Sequence, residues 1–494
     1  MNSKERRNVV IIGAGPAGLT AAYELSKHGI AGTILESDTV VGGLARTLDL
    51  DGYRFDIGAH RFFTKVMEIQ QLWDEMLGEP LATCPRLTRI LYGGKFYEYP
   101  LKAGNALKNM GVPCAIACVV SYAWSKIRPL KSPRNFEEWV INQFGAKLYN
   151  MFFKSYTEKV WGCPCTEIGA DWAAQRIKGL NLGEAILNAF RGQRQNGAVK
   201  TLIDEFRYPR RGPGQLWEAC ASTVRRHGWS VQMQTQVIGI ERHDGRAITV
   251  CAKTSDGIHT VFPADDIFSS MPLRELLLSI TPSPPAEILD AASKLSYRDF
   301  LLVVLVLDAP NIFPDNWIYV HSPDVKVGRI DNFGNWTPEM LPNRSTSCLV
   351  MEYFVFEGDE IWSSTDDALT QLAYRELDRI GLAKGKLLKS RVVRMRKAYP
   401  VYDPGYKPRL DTIRAWLRQH VPNIHCLGRN GQHRYNNQDH SMATALIAAR
   451  NVALGQERDP WSVNEDAEYH EIAKTERQAP VTPSSTHGNY ELTR

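Results

Sequence analysis

The chain has 494 residues, with 59 Lys and Arg against 54 Asp and Glu for a formal net charge of +5, 44% apolar and 23% charged residues. That length exceeds what one hydrophobic core supports, so two or more domains are expected in an ordinary globular chain. The small net charge excludes a nucleic-acid binder held by charge alone, and nine scattered cysteines, odd in number, make no disulfide framework.

The opening Met-Asn-Ser-Lys-Glu-Arg-Arg passes directly into an apolar strand, so no targeting segment and a cytoplasmic setting are expected. Residues 8–18 read NVVIIGAGPAG. Val9 to Ile12 form a buried parallel strand, Gly13, Gly15 and Gly18 spell GxGxxG at the turn, and Leu19, Ala22 and Leu25 mark a helix. Gly13 makes the tight turn, Gly15 lets backbone approach a pyrophosphate, and Gly18 lets helix pack on strand. The helix N-terminus favours an anion. Glu36, closing the run Thr33-Ile34-Leu35, accepts from a ribose hydroxyl in such a unit.

Next come Gly42-Gly43-Leu44-Ala45-Arg46-Thr47 and Tyr53-Arg54-Phe55-Asp56-Ile57-Gly58-Ala59-His60. The glycine pair with trailing Arg and Thr, followed by D-x-G-x-H, resembles the FAD-binding entry of the superfamily of flavin amine oxidases, protoporphyrinogen oxidase, phytoene desaturases and UDP-galactopyranose mutase. The resemblance implies FAD as cofactor, with Gly42 and Gly43 closing on it, Arg46 neutralising a phosphate and His60 near the isoalloxazine ring. It also implies the fold class: an α/β chain with a discontinuous, GR2-type Rossmann-like FAD-binding domain and a mixed α/β substrate domain.

Residues 112–128, VPCAIACVVSYAWSKIR, are apolar for about fourteen residues, short for a spanning helix. Two readings stay open: a helix buried in the second domain, or a surface helix in contact with a bilayer, since Lys126, Arg128 and Lys131 follow the apolar part. Residues 80–204 read as mostly helical, with Pro133-Arg134-Asn135-Phe136-Glu137-Glu138-Trp139 starting one helix that continues through Phe144 and Tyr149 to Phe153. Phe153 to Gly162, FKSYTEKVWG, resembles the mutase segment that lines a nucleotide-sugar pocket, which implies Tyr156 and Trp161 as substrate residues. By the same resemblance Arg176 and Arg298 match the two arginines that grip a diphosphate; a guanidinium fork binds phosphate bidentately. Cys163-Pro164-Cys165 lacks a second pair at zinc spacing, so no metal is expected.

The loop Tyr208-Pro209-Arg210-Arg211-Gly212-Pro213 marks a return to the cofactor domain. Strands are expected at 229–233, 236–240 and 247–252 with a hairpin at Asp244-Gly245, and Phe300 to Leu307 reads as a fully buried strand. The resemblance places Val237 at the adenine end. Near the C-terminus, Asn423 to Gly428 is a strand ending in glycine, Arg429-Asn430-Gly431 follows, and a helix runs from about Asp439 through Met442 and Ala449. In the superfamily this unit closes the flavin site, implying Gly428, Arg429 and Met442 as cofactor residues. Tyr435 keeps the mutase pattern, whereas Asn436 and Asn437 stand where another tyrosine is expected. The domain scheme is then 1–80, 205–275 and 421–455 for the cofactor, 81–204 and 276–420 for substrate, and a polar, proline-rich tail at 456–494 expected to be disordered.

Three functions fit. The first is an FAD-dependent oxidoreductase acting on a nucleotide- or lipid-linked sugar, with His60 or His433 as general base because imidazole titrates near working pH. The second is a mutase in which reduced flavin is the nucleophile. The third is a non-catalytic binding protein like the GDP dissociation inhibitors, which share a related fold.

Overall fold

The computed structural model describes residues 7–99, 101, 103–170, 205–403 and 405–464. The cofactor domain is a parallel sheet assembled from distant pieces, in the order Ile424–Cys426, Asp266–Ser269, Val9–Ile12, Thr33–Leu35, Ser230–Gln232. Val9–Ile12 is buried on both faces, as a parallel strand between helices must be. Val9 and Ile11 pack with the helices Pro16–Lys27, Gly214–Arg226 and Gln438–Leu454; Val10 and Ile12 pack with the helix Tyr406–His420. A four-stranded sheet flanks this domain, with Thr235–His243 and Arg246–Thr254 joined at Asp244 (φ 46°) and Gly245 (φ 74°). Positive φ at both positions is what a two-residue hairpin requires, and Asp-Gly supplies it.

The second domain is built on a seven-stranded mixed sheet ordered Leu387–Pro400, Tyr297–Leu307, Ser347–Val355, Arg329–Asn332, Trp317–Val320, Thr88–Tyr92, Lys95–Glu98. Every residue of Tyr297–Leu307 is buried. A fully buried Val, Leu or Phe side chain contributes about 1.5–3 kcal/mol, so this strand anchors the domain. Sequence reading placed the region from 80 onward among helices. Its first part is instead three strands, because Thr88–Tyr92 and Lys95–Glu98 complete this sheet and Ala82–Pro85 pairs with Glu205–Tyr208.

The single helix expected to run to Phe153 is broken at Gly145, whose φ of 81° ends Phe136–Phe144. Asn135 caps that helix, accepting from the Glu138 N–H at 2.9 Å. A short turn, a π-helical stretch at Tyr149–Phe153 and the helix Lys154–Trp161 follow. The apolar run becomes the helix Val112–Ile127, and it is not a buried helix: only Cys118 and Ser125 are buried in it. Among the described residues no single helix is long and apolar enough to cross a membrane.

The C-terminal segment is ordered further than expected. Asp459 caps a turn at Pro460–Ser462, Arg414 lies over the Trp461 ring at 5.0 Å, and Arg434 Nη1 donates to the Val463 carbonyl at 2.8 Å. These contacts give residues 456–464 partners that composition does not reveal; 465–494 lie outside the described residues.

Candidate active site

One cavity of about 1570 Å³ runs from the carboxyl end of the parallel sheet into the second domain. Gly13 has φ 98°, and a Cβ there would fall 2.2 Å from Ser270 Oγ. At Gly15 the nearest protein atom to an added Cβ is Gly43 Cα at 3.7 Å, so the space beside it belongs to a ligand rather than to the protein. Gly43 (φ 54°) packs directly on Gly15, since a Cβ on Gly43 would fall 3.2 Å from Gly15 Cα, and together they form a cradle on the cavity wall open to a diphosphate. Gly18 and Gly42 act from behind: a Cβ on Gly18 would lie 1.9 Å from the Gly13 carbonyl, and the Gly42 N–H donates to the Ala14 carbonyl at 2.8 Å. The helix Pro16–Lys27 carries no capping side chain, which leaves its first N–H groups and its positive dipole end to an anion.

Glu36 ends its strand at the cavity wall, where its carboxylate accepts from the N–H groups of Ala14 at 2.7 Å and Asp38 at 2.9 Å. Arg46 is nearly buried and pairs with Asp38, which the guanidinium and the Thr39 N–H hold below the usual carboxylate range despite burial. Its Nε is shielded from water without a protein partner. An orphaned guanidinium N–H beside a glycine cradle fits a dinucleotide phosphate. Val237 lines the same end.

The far end is aromatic and cationic. Tyr156 stacks on His321 at 4.6 Å and meets the edge of Tyr319 at 5.5 Å; Trp161 closes the wall beside it. Tyr399 and Tyr435 stack at 5.6 Å, and the Arg429 guanidinium lies 5.3 and 4.7 Å from their ring centres. Arg429 is fixed by the carbonyls of Asn436 (2.9 Å) and Ala398 (3.1 Å).

Arg329, Tyr399 and Tyr319 were missed by sequence reasoning. Arg329 lies in the strand Arg329–Asn332, where Asp331 falls on the same face two residues on; that paired charge inside a buried strand is the only hint the sequence holds. Its Nη2 donates to Glu352 Oε1 at 2.7 Å, and Asp331 stands 3.8 Å behind. Burial and the neighbouring Glu352 push Asp331 well up.

His60 sits at the junction of the two ends, with Nδ1 shielded and unpartnered. Desolvation, Arg429 and Arg329 lower it to about 3. His433, fully buried and at φ 45°, is lowered to about 4 by burial and lies 3.3 Å from the Val401 carbonyl. Neither imidazole titrates near working pH, against the reason sequence gave for naming them as bases. Asp56, from the same motif as His60, is an anchor: it is buried, accepts from Thr47 Oγ1 at 2.8 Å and from the Tyr208 hydroxyl, and is raised to about 8 by desolvation.

The cavity thus gathers Gly13, Gly15, Glu36, Gly43, Arg46, His60, Tyr156, Trp161, Val237, Gly428, Arg429, His433 and Tyr435. Met442 is not among them: its sulfur receives the Trp73 indole N–H at 3.1 Å in the core beneath. Nor is Arg298, whose Nε and Nη2 donate to the carbonyls of Val160 (3.2 Å), Lys159 (3.3 Å) and Phe354 (2.6 Å), while its Nη1 is shielded from water without a hydrogen-bond partner. Arg176 lies outside the described residues.

A discontinuous Rossmann-type sheet bearing a glycine cradle, with a second sheet closing a chamber over it, defines the dinucleotide-binding α/β class with a separate substrate domain. Within that class the chain belongs to the flavin containing amine oxidoreductase family, whose profile matches residues 16–453. Its cofactor is FAD. The sequence is 25% identical over 178 residues to a probable UDP-galactopyranose mutase of Klebsiella pneumoniae, covering 34% of this chain and 44% of that one. It is 25% identical over 293 residues to a phytoene desaturase of Fusarium fujikuroi, covering 54% and 50%. The chain spans about half the length of these curated relatives. In fold it is similar to the crystal structure of reduced UDP-galactopyranose mutase, with TM-score 0.80 and 21% identity over 93% of this chain and 97% of that one. A putative protoporphyrinogen oxidase from Exiguobacterium gives 0.69 and 18% over 92% and 100%.

Proposed function

We propose that the protein is an FAD-dependent oxidoreductase that oxidises a carbon of a phosphate-activated sugar, nucleotide- or lipid-linked. The observation that carries this reading is the cationic, aromatic chamber beyond the cradle, where Arg329 and Arg429 stand among Tyr156, Trp161, Tyr399 and Tyr435. When bound, FAD supplies the hydride acceptor. The chain's own residues bind, orient and exclude water. Glu352 holds Arg329 from behind, leaving its outer N–H groups for phosphate oxygens. The tyrosine faces give a sugar or a base a flat surface to stack on. His60, kept neutral by burial and by two arginines, offers a substrate hydroxyl an uncharged imidazole to hydrogen-bond with.

Isomerisation without net oxidation is the second reading, favoured by the extent of the fold match to reduced UDP-galactopyranose mutase. Against it stand the two residues after Tyr435, which line the cavity as asparagines where the mutase pattern expects a tyrosine and which also hold the surrounding backbone. Asn436 is buried and donates to the Gly428 carbonyl at 3.2 Å, while Asn437 caps the helix Gln438–Leu454. The non-catalytic reading gains nothing from a cradle complete down to its glycines and Arg46. The test is UDP and diphosphate-sugar binding, followed by perturbation of the visible flavin band. Arg329→Lys keeps a charge against Glu352 but loses the fork, and is expected to weaken binding by about tenfold with flavin retained. Unchanged affinity removes Arg329 from the site.

A further inference from the structure

We propose that the helix pair Ala103–Met110 and Val112–Ile127 docks the protein on the surface of a bilayer that carries anionic lipid headgroups. This stands independently of the substrate reading. Of the twenty exposed large apolar residues among the described residues, nine lie between 101 and 130. On the second helix Val112, Ile116, Val120 and Trp124 recur every fourth residue, followed by Ile127, and expose 63%, 58%, 62%, 58% and 72% of their surface. That spacing makes one apolar face. Soluble surfaces rarely leave such a patch uncovered.

The opposite face is committed to the protein. Cys118 and Ser125 turn inward, and a Cβ on Gly145 would fall 2.7 Å from the Tyr122 backbone nitrogen, so the helix is pressed onto the turn that follows Phe136–Phe144. The two helices meet at 115°. A bent pair with one face buried in protein does not cross a bilayer; it lies on one, its apolar face about 5–10 Å deep at the headgroup boundary.

Charge selects the occupant. Between Glu98 and Glu137 the chain has six basic residues and no acidic one. Lys108, Arg128 and Lys131 are exposed, and Arg128 lies over the Trp124 ring at 4.6 Å, a cation and an indole at one edge of the apolar face. A second copy of the chain would bring the same positive rim against itself, whereas anionic headgroups complement it. Docking also has a place to act: Phe136, which opens the supporting helix, lines the active-site cavity.

The test is flotation of the full-length holoprotein with phosphatidylcholine vesicles, with and without about one-third phosphatidylglycerol. The holoprotein is expected to float with the anionic vesicles at least about tenfold more than with the neutral ones, and high salt should reduce that binding. Val120→Glu combined with Trp124→Glu should lose it about tenfold while keeping the visible flavin spectrum. On the unmodified protein, brominated lipids should quench tryptophan fluorescence, a readout that does not rely on the variant folding. Failure to float with either vesicle, equal flotation of the double variant, or a solution dimer that the double variant dissolves would each overturn the proposal.

Discussion

Arginines that look alike in sequence part company in the structure. Arg298 was expected at the substrate because it falls in a matching segment, yet its Nε and Nη2 bind three carbonyls and its guanidinium lies 4.0 Å from the Phe356 ring centre, away from the lining of the active-site cavity. It ties the helix Lys154–Trp161 to the central sheet. Arg298→Met should therefore lower stability by about 2–4 kcal/mol, from three carbonyls left unpaired, with substrate affinity little changed; chemical denaturation and a binding titration separate the two. A histidine gives a pH signature at the same scale. His321, buried under Tyr156, is lowered to about 3 by desolvation and by Lys159, from an ordinary 6.5. Above 6.5 neither the folded nor the unfolded state carries its proton; as pH falls below 6.5 the unfolded state takes one up and the folded state refuses it down to about 3. His321 therefore costs stability as pH falls, roughly 1.4 kcal/mol per pH unit. Asp56 runs the other way, since its folded pKa is raised to about 8 and its contribution is lost as pH rises. The clean measurement is the difference in slope between wild type and His321→Gln from pH 6.5 to 4.5. A shallower slope in the variant by about one proton is expected, and identical slopes would contradict the burial argument.

The elements most legible in the sequence were those whose residues carry a local mechanism. The strand-turn-helix at 9–27, the Asp-Gly hairpin and the apolar run at 300–307, which lies within the strand Tyr297–Leu307, each read correctly, because glycine conformation, turn chemistry and an unbroken apolar run are visible within a few residues. One local signal was passed over. The strands Thr88–Tyr92 and Lys95–Glu98 are joined by Gly93-Gly94, with φ 56° and 70°, a two-residue hairpin turn as legible as Asp-Gly, whereas their place beside Trp317–Val320, more than two hundred residues on, is not visible locally. The split helix at Gly145 hinged on one glycine adopting φ 81°. In the site, the cofactor end was legible and the substrate end less so, since Arg329 and Tyr399 reach the cavity through sheet pairing rather than through a motif. The cradle gives this scale its prediction. Gly15→Val adds bulk to the cradle, where an added Cβ meets protein only at van der Waals distance, 3.7 Å from Gly43 Cα, so the fold should hold while FAD is lost. Circular dichroism with visible absorbance checks it: native ellipticity without a yellow protein is expected, and retained flavin would contradict the cradle.

At the scale of the molecule, two sheets built from interleaved segments meet at one cavity, so the pieces that hold the dinucleotide also fix the chamber that faces it. That coupling explains why the chain returns to the cofactor domain after each excursion: the strands Ser230–Gln232, Asp266–Ser269 and Ile424–Cys426 lie in register beside Val9–Ile12 or its neighbours. Within this architecture the central claim is that the chamber presents an activated sugar for oxidation rather than for rearrangement. Anaerobic titration of the holoprotein with nucleotide- and polyprenyl-linked sugars, followed at the band of oxidised flavin, tests it most directly. The account predicts that one of them bleaches the band in a stoichiometric reaction. No bleaching by any donor, with sugar isomerisation appearing only after the flavin has been reduced by dithionite, would contradict it and make the protein a mutase.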